Sequence, residues 1–167
     1  MKRSINILAI ALVILGMAFV GCKKPNDNPQ EEETYTLTYK INNEVQFTNP
    51  LTGEVSIDVL SPCFHFDITY IGADGNPIEE HNVSAPWEKT LSIHRPFHAK
   101  LEGRIIYNED ELPEEVTFGK PYYLSITGNG VVKYDDNNQL SVMSKSSFLE
   151  HIAGTERLSF ESELTLE

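Results

Sequence analysis

Apolar and polar side chains alternate without a break in Thr34-Tyr35-Thr36-Leu37-Thr38-Tyr39-Lys40-Ile41. Successive side chains of a β-strand point to opposite faces, so a period of two predicts a strand with its tyrosines, leucine and isoleucine on one buried face. The pair Asn42-Asn43 that follows is typical of a tight hairpin turn, because Asn tolerates a positive φ. We therefore expect a half-buried first strand that ends in a turn.

The same alternation recurs along the chain, and helical periodicity is almost absent. Alternating apolar sets run from Val55 to Val59, Phe64 to Tyr70, Leu91 to Ile93, Leu101 to Tyr107, Tyr122 to Ile126 and Leu158 to Leu166. Turn signals occur at Asp74-Gly75-Asn76-Pro77 and at Thr127-Gly128-Asn129-Gly130, whose return strand is Val131 to Tyr134. Each set predicts a half-buried strand. About eight to ten short strands predict an all-β, antiparallel Ig-like β-sandwich, with a barrel as the alternative.

One segment departs from the period of two. Ser146 to Gly154 begins with a capping serine, has apolar residues at helical spacing and ends in glycine. This pattern predicts one short helix or 3₁₀ turn near the C-terminus.

The first 22 residues have the layout of an export signal. Lys2 and Arg3 precede a nearly unbroken apolar run, Ile5 to Val20, and Ala18-Phe19-Val20-Gly21-Cys22 resembles a bacterial lipobox. These sixteen residues rise about 24 Å as a helix, which is short of the roughly 30 Å hydrocarbon core and disfavours a spanning anchor. We therefore predict a lipoprotein signal peptide at 1–22 and acyl chains, palmitate among them, on Cys22.

The residues after Cys22 indicate where the protein resides. Lys23 stands where an Asp would retain a lipoprotein of this kind in the inner membrane, which favours the outer membrane and leaves its periplasmic or surface face open. Residues 23–33 contain two Pro and an acidic run, and have too little apolar surface to fold. They predict a flexible acidic linker, followed by the folded domain at 34–167.

The charge and the cysteine content of the chain limit the functions and the kind of stabilisation that are possible. The chain has 167 residues and a formal charge of −12. After Cys22 it carries 11 basic against 25 acidic side chains, a formal charge of −14, which opposes the phosphate contacts of nucleic-acid binding. Only Cys63 remains beyond Cys22, so no internal disulfide is expected and Cys63 is predicted to be a core residue.

The middle of the chain resembles a known group of exported proteins. The resemblance covers residues 64 to 132 and is carried by Phe66-Asp67-Ile68-Thr69-Tyr70, Gly72-Ala73-Asp74-Gly75-Asn76, Asn82-Val83-Ser84-Ala85-Pro86-Trp87, Glu88 to Ile93 and Tyr123 to Val132. These motifs resemble the β-sandwich of uncharacterised bacterial lipoproteins and, more distantly, the exported domain of MmpS-type accessory proteins of RND transporters. The resemblance implies a membrane-tethered sandwich and does not specify a ligand.

Trp87 offers the largest apolar surface in the chain and follows a proline that fixes the entry of its strand. We expect it either to fill the core or to form an exposed platform on which a sugar or lipid stacks. Trp87 is therefore the candidate contact for a ligand or partner.

Metal-binding patterns are weak. His94 and His98 share strand parity, but Pro96 lies between them and no further ligands are apparent. Acidic runs at Asp135-Asp136-Asn137-Asn138, Glu109-Asp110-Glu111 and Glu114-Glu115 lack the spacing of an EF-hand and are predicted to be solvated loops that bind calcium at most fortuitously. We expect no metal site and no cofactor.

Motifs for nucleophilic catalysis are also missing. Neither G-x-S-x-G nor S-x-x-K occurs, and the near neighbours Cys63, His65 and Asp67 share a face as in any strand. The sequence therefore favours a non-catalytic binding or accessory module for an envelope protein or for a glycan or lipid ligand. The alternatives are a structural subunit that assembles through an edge strand, such as the acidic one near Leu158 to Leu166, and a hydrolase with convergent carboxylates.

Overall fold

A computed structural model describes residues 32–153 and 155–167. A compact unit spans Glu33–Glu167, close to the domain start expected at residue 34. The predicted leader 1–22 with Cys22, and residues 23–31 of the predicted linker, lie outside the described residues. Within the described ranges, no helix is long and apolar enough to cross a membrane.

Most of the described chain lies in β-strands, which confirms the all-β prediction. The strands are β1 (Tyr35–Ile41), β2 (Glu44–Thr48), β3 (Val55–Val59), β4 (His65–Ile71), β5 (Pro77–Ser84), β6 (Trp87–Ile93), β7 (Phe97–Ile106), β8 (Glu115–Gly119), β9 (Tyr122–Gly128), β10 (Val131–Asp136), β11 (Leu140–Ser144) and β12 (Ser159–Leu166). The helix α1 is Lys145–His151, and 3₁₀ turns lie at Glu109–Glu111 and Thr155–Leu158.

Two four-stranded antiparallel sheets form the sandwich. The first sheet has the order β10-β9-β1-β6, and the second has the order β12-β7-β4-β5. Two hairpin sheets, β2-β3 and β8-β11, complete the described topology. The predicted antiparallel sandwich with one short helix near the C-terminus is therefore confirmed.

The apolar faces of the two sheets meet in one core, as their alternation predicts. Tyr39 of β1 packs on Tyr70 of β4 with 5.3 Å between ring centroids. The Tyr39 hydroxyl donates to the Ile71 carbonyl at 2.8 Å, which satisfies the one polar atom of a fully buried side chain. The central strands of the two sheets are thus joined by both packing and a hydrogen bond.

A glycine and an aromatic ring fit together where β7 pairs with β12. Gly103 lies directly opposite Phe160, and the Phe160 ring covers the space that a side chain at position 103 would fill. The same ring stacks on Tyr122 of β9 at 5.4 Å, with an interplanar angle of 12°. Phe160 therefore connects the edge of the second sheet to the first.

The hairpin turn expected at Asn42-Asn43 is wrong. Strand β1 pairs with β6 and β9, whereas β2 pairs with β3, so β1 and β2 do not form a hairpin. The Asn42 N–H donates to the Pro121 carbonyl at 2.7 Å, and the Asn43 carbonyl accepts from the Leu60 N–H at 2.7 Å. Both asparagines are thus held by distant segments of the chain.

Three other boundaries differ from expectation. Asp135 and Asp136, predicted to lie in a loop, are the last residues of β10, and the Asp135 carboxylate accepts from the Ser162 hydroxyl of β12 at 2.7 Å. Glu115, expected in an acidic loop, opens β8. The helix N-cap is Ser144, two residues before the capping Ser146 expected from the sequence, and its hydroxyl accepts from the Ser147 N–H.

Candidate functional site

Trp87 closes one side of the sandwich. It opens β6 at the edge of the first sheet, and its indole N–H donates to Glu80 Oε2 of β5, an edge strand of the second sheet, at 3.0 Å. The other oxygen of the same carboxylate accepts from the Tyr70 hydroxyl at 2.9 Å. Tyr70 and Trp87 also pack together, with 5.5 Å between ring centroids. We call Tyr70, Glu80 and Trp87 the tryptophan clasp.

The clasp is partly shielded from water. Burial and the hydrogen bond to Glu80 raise the pKa of the Tyr70 hydroxyl above its ordinary value, while the Lys89 ammonium lies 6.0 Å from the centre of the Tyr70 ring. Trp87 itself is half-buried. It is therefore neither a fully buried core residue nor a fully exposed ring, the two alternatives that the sequence leaves open. Since Glu80 engages the indole N–H, a ligand at Trp87 would meet only the exposed part of the ring.

The hairpin β2-β3 departs most from expectation. The sequence predicts a half-buried strand at Val55, Ile57 and Val59, but these side chains are 56%, 58% and 50% exposed. Phe47 on β2 is 57% exposed, and Leu51 at the turn is 94% exposed. The alternation predicts the strand correctly, but the apolar face that it predicts to be buried is exposed. The result is an apolar surface of a kind that in soluble proteins marks an interaction site.

The apolar residues of β3 share one face of the hairpin. In the register, Val55, Ile57 and Val59 lie opposite Thr48, Gln46 and Glu44. Directly opposed residues of an antiparallel pair project to the same side, so three β-branched side chains form a row bordered by a polar row. Phe47 lies on the other face, opposite Ser56.

The backbone of β3 also has an unpaired edge. The Leu60 N–H donates to the Asn43 carbonyl, and the Asn49 N–H donates to the Glu54 carbonyl. Because bonding direction alternates along a strand, the even-numbered residues of β3 face β2, while Val55, Ile57 and Val59 direct their N–H and C=O groups outward. Among the described strands, none pairs with β3 on that side.

The edge strand predicted near Leu158 to Leu166 is better protected against the addition of another strand than β3 is. Strand β12 does lie at the edge of the second sheet. Lys120 Nζ donates to the Ser159 carbonyl at 2.5 Å, and Lys133 Nζ donates to the Thr165 carbonyl at 2.6 Å. Lysines of this kind hinder strand addition at an edge. Residues 42–64, which contain β2 and β3, have no Lys or Arg.

A second exposed surface is the outer face of the first sheet. Tyr134 of β10 is 64% exposed and lies opposite Ser125, while Tyr123 lies opposite Asp136 and Lys40. Hydroxyl side chains cover the neighbouring positions Thr36, Thr38, Thr90, Ser92 and Thr127. Two tyrosine rings therefore stand on a sheet face that carries these five hydroxyl side chains together with the charged Lys40 and Asp136.

The outer face of the second sheet is strongly charged. Lys100 Nζ contacts Glu102, Glu161 and Glu163 at 2.5, 3.1 and 3.4 Å. The hydrogen bonds to Glu102 and Glu161 raise the pKa of its ammonium. Nearby, an open depression of about 330 Å³ is lined by Asp67, Thr69, His81, Glu102, Arg104 and Glu161. The acidic side chains of this lining are Asp67, Glu102 and Glu161.

Asp67 holds local backbone geometry in that depression. Its carboxylate accepts from the Asn82 N–H at 3.0 Å and contacts His81 Nδ1 at 3.3 Å. Asn82 has a φ of 55°, next to the irregularity in the β4-β5 pairing, and Asn is among the residues that tolerate this conformation. His65, which shares a face with Asp67, contacts the Ser84 hydroxyl at 3.1 Å.

The remaining sequence candidates are dispersed. His94 contacts the Glu33 carbonyl, and His98 contacts the Thr165 hydroxyl at 3.2 Å. Cys63 is buried, and burial raises the pKa of its thiol. In residues 32–153 and 155–167, no three His, Cys, Asp or Glu side chains are grouped so as to hold a metal ion.

Comparison of the chain with models of known protein families gives no match, and comparison with curated proteins gives none either.

Proposed function

We propose that this protein is a lipid-anchored, non-catalytic binding module of the bacterial cell envelope that holds a protein partner through the free edge of β3. In this proposal, acylated Cys22 fixes the chain to the outer membrane and residues 23–33 form a linker. The sandwich then carries the β2-β3 hairpin as its binding element.

The exposed, unpaired edge of β3 is the observation that carries the proposal. Val55, Ile57 and Val59 combine exposed β-branched side chains with outward N–H and C=O groups. A two-stranded hairpin is only marginally stable by itself in water, and an added strand pairs the free backbone groups while covering apolar side chains. The hairpin is thus suited to bind an extended segment by β-augmentation.

The charges of the hairpin favour a protein over a lipid surface. Glu44, Glu54 and Asp58 lie in this segment, and residues 42–64 contain no cationic side chain. Peripheral insertion into membranes generally combines apolar residues with Lys or Arg that attract anionic headgroups. An acidic hairpin would instead be repelled, so the exposed Leu51 and Phe47 are assigned to a protein contact.

Site-specific photo-crosslinking in cells tests the proposal. A photoreactive amino acid replaces Ile57 in the full-length chain, and the same amino acid replaces Val132 as the control. Val132 is a β-branched apolar residue, 71% exposed, on β10. We expect discrete protein adducts from position 57 and none from position 132. No adduct at position 57, or the same adducts from both positions, would contradict the proposal.

A second candidate function is glycan binding on the outer face of the first sheet. Tyr123 and Tyr134 offer aromatic rings next to a row of hydroxyls, which suits the apolar faces and hydroxyl groups of a sugar. A glycan array probed with the protein, and with Tyr134→Ala, tests this candidate. Retention of a specific glycan by the wild type and its loss in the variant would support it, whereas the absence of any bound glycan would dismiss it.

A further inference from the structure

The free edge of β3 is complementary to itself. Its sequence is Val55-Ser56-Ile57-Asp58-Val59, in which the outer and central residues are apolar and the two between them are small or acidic. In an antiparallel pair of identical strands centred on Ile57, each Val55 lies opposite a Val59 and the two Ile57 residues lie opposite each other. All three cross-strand pairs then join β-branched residues, a favourable combination.

The outward direction of the backbone N–H and C=O groups favours the same register. Val55, Ile57 and Val59 are the residues whose N–H and C=O groups point away from β2. Centring the pair on Ile57 places these residues opposite one another, so each outward donor meets an outward acceptor. The two-fold symmetry that results is the commonest symmetry of protein dimers.

The two neighbouring registers would be less stable, because one opposes like charges and the other loses an apolar pair. A pair centred on Asp58 would set the two Asp58 carboxylates directly opposite each other, and like charges in that position are destabilising. A pair centred on Ser56 would leave Val59 opposite Gly53, in the turn of the hairpin, and lose one apolar pair. The arrangement centred on Ile57 instead places Asp58 opposite Ser56.

We propose that the partner of the β3 edge is a second copy of this chain, joined by β3 of each copy in antiparallel register about Ile57. The strands β2-β3-β3-β2 then form one four-stranded sheet. This inference rests on the proposed function, since it names the partner of the same edge. Anchoring both copies to one membrane raises their effective concentration, so a weak pair can be populated at the cell surface.

Disulfide crosslinking in the envelope tests the register. Full-length variants Ile57→Cys, Val55→Cys and Val59→Cys are expressed singly, and the last two are also co-expressed, each with a distinguishable tag. Opposed residues of a bonded antiparallel pair have Cα atoms about 5.5 Å apart, within the range of a disulfide. The unsubstituted chain, which keeps buried Cys63, serves as the blank. The three replaced residues are similarly exposed, which makes each variant a matched control for the others.

Mild oxidation is expected to produce a dimer band from Ile57→Cys alone and from the co-expressed Val55→Cys and Val59→Cys pair. Val55→Cys and Val59→Cys alone should remain at least fivefold less crosslinked, because each lies four residues from its symmetry mate in the paired strand. Circular dichroism of the purified variants checks that the strands are intact.

The outcomes separate the two proposals. Equal crosslinking of all variants, or none, overturns the inferred register. If crosslinking is absent but the photoreactive residue at position 57 yields an adduct with a different protein, self-pairing is wrong and the binding function remains. If neither experiment gives a product at position 57, both proposals fail.

Discussion

The indole N–H of Trp87 and the carboxylate of Glu80 are hydrogen-bonded at 3.0 Å across the side of the sandwich. Because Glu80 also accepts from Tyr70, we expect Glu80→Ala to lower the free energy of unfolding by about 1–3 kcal/mol. Trp87→Phe keeps an aromatic ring and loses one donor, so its expected cost is about 1 kcal/mol. Urea unfolding followed by tryptophan fluorescence, or by circular dichroism for Trp87→Phe, measures both.

The neighbouring Glu79 supplies the matched control for the clasp. Its side chain is exposed and lies 3.9 Å from His81, so Glu79→Ala should change stability by less than about 0.5 kcal/mol. A double-mutant cycle between Glu80→Ala and Trp87→Phe should show coupling. Equal effects of the Glu79 and Glu80 substitutions would mean that the clasp adds nothing to stability.

Stability should fall at alkaline pH through Tyr39. Burial raises the pKa of its hydroxyl above the ordinary value near 10. The unfolded chain therefore releases this proton at a lower pH than the folded chain. The stabilisation is fully present below about pH 10 and is lost as the pH rises further, toward the folded-state pKa.

Tyr39→Phe removes this titration together with the hydrogen bond to Ile71. We expect it to lower stability by about 1–3 kcal/mol at neutral pH and to flatten the decline above about pH 10. Tyr134→Phe, at an exposed position, should leave the alkaline decline unchanged. Thermal unfolding across the alkaline range measures both variants, and identical pH profiles for them would contradict the assignment.

Gly103 is required by the ring that lies over it. A Cβ at this position would overlap Phe160, so we expect Gly103→Ala to destabilise the fold by about 1–3 kcal/mol. Phe160→Leu leaves more room, and adding it to Gly103→Ala should cost less than the sum of the two single changes. Denaturant unfolding of the two single variants and the double variant measures this coupling, and strict additivity would show that ring and glycine do not interact.

Lipidation at Cys22 is testable by itself. Cys22→Ala should abolish incorporation of labelled palmitate and leave the leader uncleaved, while Cys63→Ala should incorporate label normally. Mass spectrometry of the envelope protein checks both variants. A palmitate signal that persists in Cys22→Ala would contradict the lipobox prediction.

The sequence predicts the positions of the strands better than it predicts which strand faces are buried. Tyr35 to Ile41 and Val55 to Val59 show the same alternation, yet the first lies in the core and the second is exposed. Alternation shows that a strand has an apolar face, and only the packing of sheets decides whether another layer covers that face. The hairpin site was missed for this reason, although the lack of Lys and Arg between positions 42 and 64 was a visible signal.

Side-chain contacts between the two sheets also could not be predicted from the sequence. Trp87 was recognised as a candidate from its size, but its partner Glu80 lies on the other sheet and is one of 25 acidic residues. The turns Asp74 to Pro77 and Thr127 to Gly130 were predicted correctly, since their geometry depends on local residues. The hairpin predicted at Asn42 and Asn43 is wrong because these residues bond to the distant Pro121 carbonyl and Leu60 N–H groups, which a local sequence pattern does not reveal.

Amide hydrogen exchange along β3 tests the central claim most directly. The full-length protein is measured residue by residue in membranes of the cells that express it and again after dilution in detergent. If an added strand occupies the edge, the outward amides of Val55, Ile57 and Val59 will exchange slowly in the membranes and rapidly after dilution, while those of Ser56 and Asp58 will stay protected by β2 in both. Rapid exchange of the three outward amides in both states would contradict the account.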